Sequence, residues 1–221
     1  MNWMEGIFAR LVVLAASGML LTGLIVLWRK GVPAYIAAFT WQSWLLSGMT
    51  AAVGYLGGEP QLYLVAVILL LLKGIALPAL LRATDRRFST RRELLAYVNT
   101  ETSLIVGGML VLFAYVLTEP WMAMTKLPTR AALPVAMALL FVSLFIIVSR
   151  KKAITQVIGF LMLENSIALL AVVGTYGVPL LVELGVFLDA LMGFLVMQIF
   201  LYDIHETFET LEVDQLARLK H

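Results

Sequence analysis

Three ionisable side chains stand in the middle of apolar runs. Glu164 lies in Gly159-Phe160-Leu161-Met162-Leu163-Glu164-Asn165, Asp189 in Gly185-Val186-Phe187-Leu188-Asp189-Ala190, and Lys73 in Leu69-Leu70-Leu71-Leu72-Lys73-Gly74-Ile75-Ala76-Leu77-Pro78. A charge at the centre of a bilayer costs ~2.5–3.5 kcal/mol on insertion scales, so such residues persist where they pair, line water or carry protons. Proton carriage is the chemistry that two acids at such depth can do, with the lysine as a third station. The bland alternative is a neutral, hydrogen-bonded acid that only fastens helices together, or a lysine that only pairs with an acid on this or another subunit. Gly185, Asp189 and Gly193 follow i, i+4, i+8 spacing and share one helix face, so another helix or water can approach the acid closely. Pro78 has no N–H for the carbonyl of Gly74, which leaves an acceptor beside Lys73 where a water chain could be recruited. Glu183 lies nearer the outer end of the same run as Asp189 and fits either an access channel or an interfacial carboxylate. Glu101, flanked by Asn99, Thr100, Thr102 and Ser103, reads as a helix-starting residue, and Arg10 is close enough to an end to snorkel.

Holding those side chains at such depth requires spanning helices of ~20 mostly apolar residues. Seven stretches qualify: 6–28, 33–56, 61–82, 95–118, 130–149, 153–175 and 178–202. The chain is therefore expected to be all-α and polytopic. Turn residues punctuate the spans at Gly31 and Pro33, Gly57-Gly58-Glu59-Pro60, Glu119-Pro120, Pro128, and Tyr176-Gly177-Val178-Pro179. The amino terminus lacks the basic region of a signal peptide, and the first apolar run is read as a retained span. Glu164 and Asp189 then fall on the two arms of a short-turned hairpin, at similar depth.

Composition agrees. Of the 221 residues 62% are hydrophobic and only 14% charged, against ~45–50% and ~25% in soluble domains, and the mean hydropathy is +0.95. The basic residues are segregated. Arg29 and Lys30, Arg82, Arg86, Arg87, Arg91 and Arg92, Arg150, Lys151 and Lys152, and Arg218 and Lys220 put twelve on one side of the membrane, against Lys126 and Arg130 on the other. By the positive-inside rule the amino terminus is outside and the carboxy terminus cytoplasmic. The bias reports orientation, not nucleic-acid binding. Cysteine is absent, which excludes disulfides, thiolate metal sites and cysteine-held iron–sulfur clusters in this chain. His205 and His221 both lie beyond the last apolar run, so no pair of intramembrane histidines can hold a haem. Span 7 has no lysine for a retinal Schiff base. No internal repeat is apparent, and an odd number of spans argues against a self-contained inverted-repeat transporter. Methionines and tryptophans read as packing and interfacial anchors. The tail 203–221, with Leu211, Leu216 and Leu219, fits either a docking segment or a surface tail.

The segments around Glu164 and Asp189, with Val148-Ser149-Arg150-Lys151, the Lys73–Pro78 stretch and Thr210-Leu211 to Leu219-Lys220, resemble the hydrogenase-4 component E family over essentially the whole chain. Spans 5–7 in turn resemble the three-helix K subunit of complex I and the C subunit of Mrp cation/proton antiporters. In those proteins two mid-membrane glutamates lie on a lateral proton path. Glu164 matches the first, and Asp189 stands where the second would be, one methylene shorter. The resemblance implies three regions: a four-helix part at 1–129, a three-helix K-like part at 130–202 and a cytoplasmic tail at 203–221. It also implies a non-catalytic membrane-arm subunit in the inner cell membrane, belonging to a complex I-related assembly of the group 4 [NiFe] hydrogenase or formate hydrogenlyase type. The expected partners are antiporter-like and other membrane-arm subunits and a peripheral hydrogenase arm. This chain would hold no cofactor, the nickel, iron and iron–sulfur clusters residing in those partners. Glu164, Asp189, Lys73 and Glu183 would lie on the proton path. A structural scaffold, or a subunit of an Mrp-type antiporter, are the alternatives.

Overall fold

The computed structural model describes residues 3–29, 31–58, 60–88, 98–124 and 127–175. Among them the chain is all-helical, with no β-strand. Helix α1 (Trp3–Trp28) is followed by α2 (Val32–Gly57). A third long helix is built from α3 (Gln61–Leu71), one π-helical turn (Leu72–Ala76) and α4 (Leu77–Phe88). Then come α5 (Thr100–Met124), a 3-10 turn (Pro128–Ala132), α6 (Leu133–Ser149) and α7 (Ala153–Thr175). The described residues thus form six long helices, in place of the seven spans expected. The seventh, 178–202, lies outside the described residues, as does the tail.

Five of the six are long and apolar enough to cross a membrane. The exception, α2, is 26 residues long, or ~39 Å at 1.5 Å per residue. Its composition falls short because it carries Thr40, Gln42, Ser43, Ser47 and Thr50, all buried. Each is hydrogen-bonded. Thr40, Ser43 and Thr50 donate to the carbonyls of Ile36, Phe39 and Leu46 one turn back, while Ser47 donates to Ala66 on α3 and Gln42 to Met19 on α1. The polar groups thus face protein, as buried polar groups must.

Several boundaries move. Span 4 is expected at 95–118, but α5 begins at Thr100 and runs through Glu119-Pro120 to Met124. A proline removes one hydrogen bond and does not by itself end a helix; here the last turn continues beyond it. The arginines 82, 86 and 87, expected in a loop, belong to α4. Pro33 and Pro134 sit in the first turns of α2 and α6, where a missing N–H costs nothing. Gly58 ends α2 at φ 67°, a left-handed conformation that favours glycine, and its N–H caps the Gly54 carbonyl.

The core joins α1, α2, α6 and α7 through Val12, Met19, Leu46, Leu139, Leu169 and Val173. Two polar ties fix its ends. Thr129 Oγ1 donates to the Val173 carbonyl, and Arg150 Nη2 donates to those of Val26 and Leu27. Helix α5 is peripheral, burying only Ser103, Gly107, Ala114 and Thr118. Small residues on one stripe let a helix lie close to its neighbours, and they leave α5's large side chains facing outward.

Candidate functional site

Three helices meet at mid-length. Glu164 is the central residue of α7 (Ala153–Thr175), Lys73 lies beside the centre of the third helix, and Ser43 beside the centre of α2 (Val32–Gly57). Lys73 Nζ is 3.4 Å from Glu164 Oε2, with side-chain exposures of 1% and 7%. The same ammonium donates to Asn165 Oδ1 at 3.2 Å, and Asn165 Nδ2 donates to Ser43 Oγ at 3.2 Å. Ser43 Oγ in turn donates a hydrogen bond to the Phe39 carbonyl at 2.9 Å. A buried ion pair is thus extended into a chain of hydrogen bonds linking the third helix, α7 and α2.

The lysine reaches this position from a π turn. Residues Leu72–Ala76 are wound with one extra residue per turn, and the N–H of Leu77 bonds to the carbonyl of Leu72. The cause lies in the next residue along. The ring of Pro78 would press on the carbonyl of Gly74 in a regular α-helix and offers it no N–H. Widening the turn relieves that contact, and π turns of this kind recur at functional sites. The acceptor expected to recruit water beside Lys73 is instead taken: Trp44 Nε1 donates to the Gly74 carbonyl at 3.1 Å. Gly74 allows this approach because a Cβ there would lie 2.7 Å from Trp44 Cδ1 and 2.8 Å from Nε1.

Of the four residues read from the sequence as the site, Glu164 and Lys73 are brought together, while Asp189 and Glu183 lie outside the described residues. Glu101 is exposed in the first turn of α5, on a shallow groove with Trp28 and Arg29, and Arg10 is exposed on α1.

The chain is 34% identical over 214 residues to "Uncharacterized protein Rv0085" of Mycobacterium tuberculosis, covering 96% of this chain and 97% of that protein. The chain belongs to the family of that mycobacterial protein. It is also 26% identical over 209 residues to hydrogenase-4 component E of Escherichia coli K12 and of Shigella flexneri, covering 93% of this chain and 95% of each. This is a distant homology that extends over most of the chain. No family model matches the chain. No solved structure matches it.

Sequence reasoning missed Asn165, Ser43 and Trp44. Asn165 adjoins Glu164 in the segment singled out, and a second polar residue next to an intramembrane acid is a usable signal. Ser43 gives none, since serine and threonine in apolar helices usually bond to their own backbone. Trp44 reads as an anchor or packing residue, and its N–H is what distinguishes it.

The chemistry open to this arrangement follows from its charges. The pair carries no net charge as ammonium and carboxylate. Gaining a proton leaves an ammonium beside a neutral acid, and losing one leaves an amine beside a carboxylate. Each step moves one unit of charge within a low-dielectric interior, where Coulomb energies are large, and Asn165 and Ser43 can reorient to follow it.

A second polar cluster sits at the end of the bundle where α6 meets α7. Arg150 is only 4% exposed and lies over the ring of Tyr35 at 5.6 Å, while it holds the terminal carbonyls of α1. Gln156 Nε2 in turn donates to the Arg150 carbonyl at 2.8 Å. Its contacts tie elements together and leave the ion pair to the middle of the helices.

Proposed function

We propose that this chain is a non-catalytic membrane-arm subunit of a complex I-related, energy-converting complex of the group 4 [NiFe] hydrogenase or formate hydrogenlyase type, in which the Lys73–Glu164 pair is a station on the proton path. The distant homology to hydrogenase-4 component E supports the host, and the expected partners are antiporter-like membrane subunits and a peripheral hydrogenase arm that carries the metal clusters. The observation that carries the proton-path reading is the buried pair itself. An ammonium and a carboxylate meet at mid-helix among apolar side chains and continue into Asn165 and Ser43. Stability alone is a poor reason to retain such a pair, because hydrophobic residues of like volume often stabilise as well or better. Asp189, in the apolar run that follows in the sequence, is the second carboxylate on this reading, and Glu183 its outer access group. The chain sits in the inner cell membrane with its amino terminus outside and its basic end cytoplasmic.

The test is Glu164→Gln in the assembled complex. Normal assembly and electron transfer with loss of coupled proton or cation translocation is the expected result. Undiminished translocation in Glu164→Gln and in Asp189→Asn would sink the proposal and leave a scaffold as the function.

A further inference from the structure

We infer that Trp44 is a positioning residue for the buried pair, a latch on α2 whose indole N–H holds open the π turn that aims Lys73 at Glu164. The inference rests on the reading of that pair as the working site and names what sets its geometry. Three observations converge on it. The turn Leu72–Ala76 holds both Lys73 and Gly74 buried. The Gly74 carbonyl, denied the N–H of Pro78, accepts from Trp44 Nε1 at 3.1 Å. The indole lies so close to Gly74 that even a methyl group there would collide with it.

The mechanical consequence is large. A π turn places one extra residue in the helix, and one residue corresponds to about 100° of rotation around the axis. If that turn rewinds to α, the residues before and after it change register by that angle, and Lys73 no longer faces both Glu164 and Asn165. A hydrogen bond from α2 to the Gly74 carbonyl, which Pro78 cannot satisfy, resists that rewinding. Trp44 is also 45% exposed and packs edge-on against Trp41, ring centroids 5.4 Å apart. The latch therefore runs from the outer face of the bundle to a lysine that is 1% exposed.

Trp44→Phe keeps the ring and removes the donor, while Trp44→His retains a ring N–H. The readout is the acylation rate of each lysine by a small, membrane-permeant amine reagent, followed by mass spectrometry on the full chain in native membranes. In Trp44→Phe labelling of Lys73 is expected to rise several-fold, with Lys151 and Lys152 unchanged, and Trp44→His is expected to bring it back towards wild type. Labelling of Lys73 in Trp44→Phe at the wild-type rate would overturn the inference. So would an equal rise at every lysine, or loss of the chain from the membrane, since either makes Trp44 a general packing residue. Because this readout is the exposure of an amine, its failure leaves the proton-path reading standing, and normal translocation in Glu164→Gln would leave Trp44 the latch of a purely structural pair.

Discussion

Glu164 and Lys73 neutralise each other's charge where water is excluded. Removing one member of a buried pair leaves the other charged and unmatched, which costs ~3–5 kcal/mol, whereas removing both together costs far less. Lys73→Met alone is therefore expected to lower the thermal unfolding temperature in detergent markedly, and Lys73→Met with Glu164→Leu to recover most of the loss. If the double variant is no more stable than the sum of the singles predicts, the two side chains are not coupled. Asn165→Leu, which removes an acceptor from the ammonium and a donor to Ser43, should cost ~1–3 kcal/mol in the same assay. At this scale the sequence is legible where charge meets hydrophobicity. Lys73 and Glu164 announce themselves because nothing else near them in their runs is ionisable. Their pairing is not legible, since similar depth in two spans does not say which helices are neighbours. Asn165 and Ser43 escape notice because an uncharged polar side chain in an apolar run can satisfy itself locally.

The elements show where local sequence decides and where contacts do. Apolar length dictates the existence of the helices, and Pro33 and Gly58 mark real helix ends. Pro120 does not, because it sits where the helix has little ladder left to lose. The π turn is beyond reach of pattern reading. Pro78 signals a disturbed ladder, but whether the helix kinks, recruits water or widens depends on Trp44, which comes from another helix. The glycines test this contrast. Gly74→Ala pushes a methyl group into the indole and should destabilise by ~1–3 kcal/mol, the usual cost of overpacking. Gly108 lies in α5, and a methyl group added there would meet nothing within 4 Å, so Gly108→Ala should stabilise by ~0.5–1 kcal/mol through backbone entropy. Thermal unfolding of the two variants side by side gives opposite signs if tertiary contact rules the first and propensity the second. Arg150 makes the same point at a junction. In the sequence it reads only as a loop charge, yet it is buried on Tyr35 and holds the end of α1. Arg150→Ala should therefore open the α1–α2 loop to protease, and a digestion pattern like wild type would show that the tie is dispensable.

At the scale of the whole molecule, two polar ties put loops on common ends of the bundle. Arg150 on the carbonyls of Val26 and Leu27 brings the α6–α7 junction to the end where α1 meets α2, and Thr129 on the Val173 carbonyl brings the start of α6 to the end of α7. Arg29, Arg150, Lys151 and Lys152 therefore gather at one end, while Arg130 stands at the other. On the proposed reading this basic end is the cytoplasmic one, as the positive-inside rule expects. The chain has no cysteine, so single cysteines can report on each end without background. Lys151 and Arg130 are both exposed. A cysteine at 130 should react with a membrane-impermeant maleimide in intact cells, and one at 151 should react only after the membrane is opened. That pattern places Glu164, central in α7, between an outer end marked by Arg130 and an inner end marked by Lys151. The reverse pattern would invert the chain, and with it the direction of the proposed proton path through the Lys73–Glu164 pair.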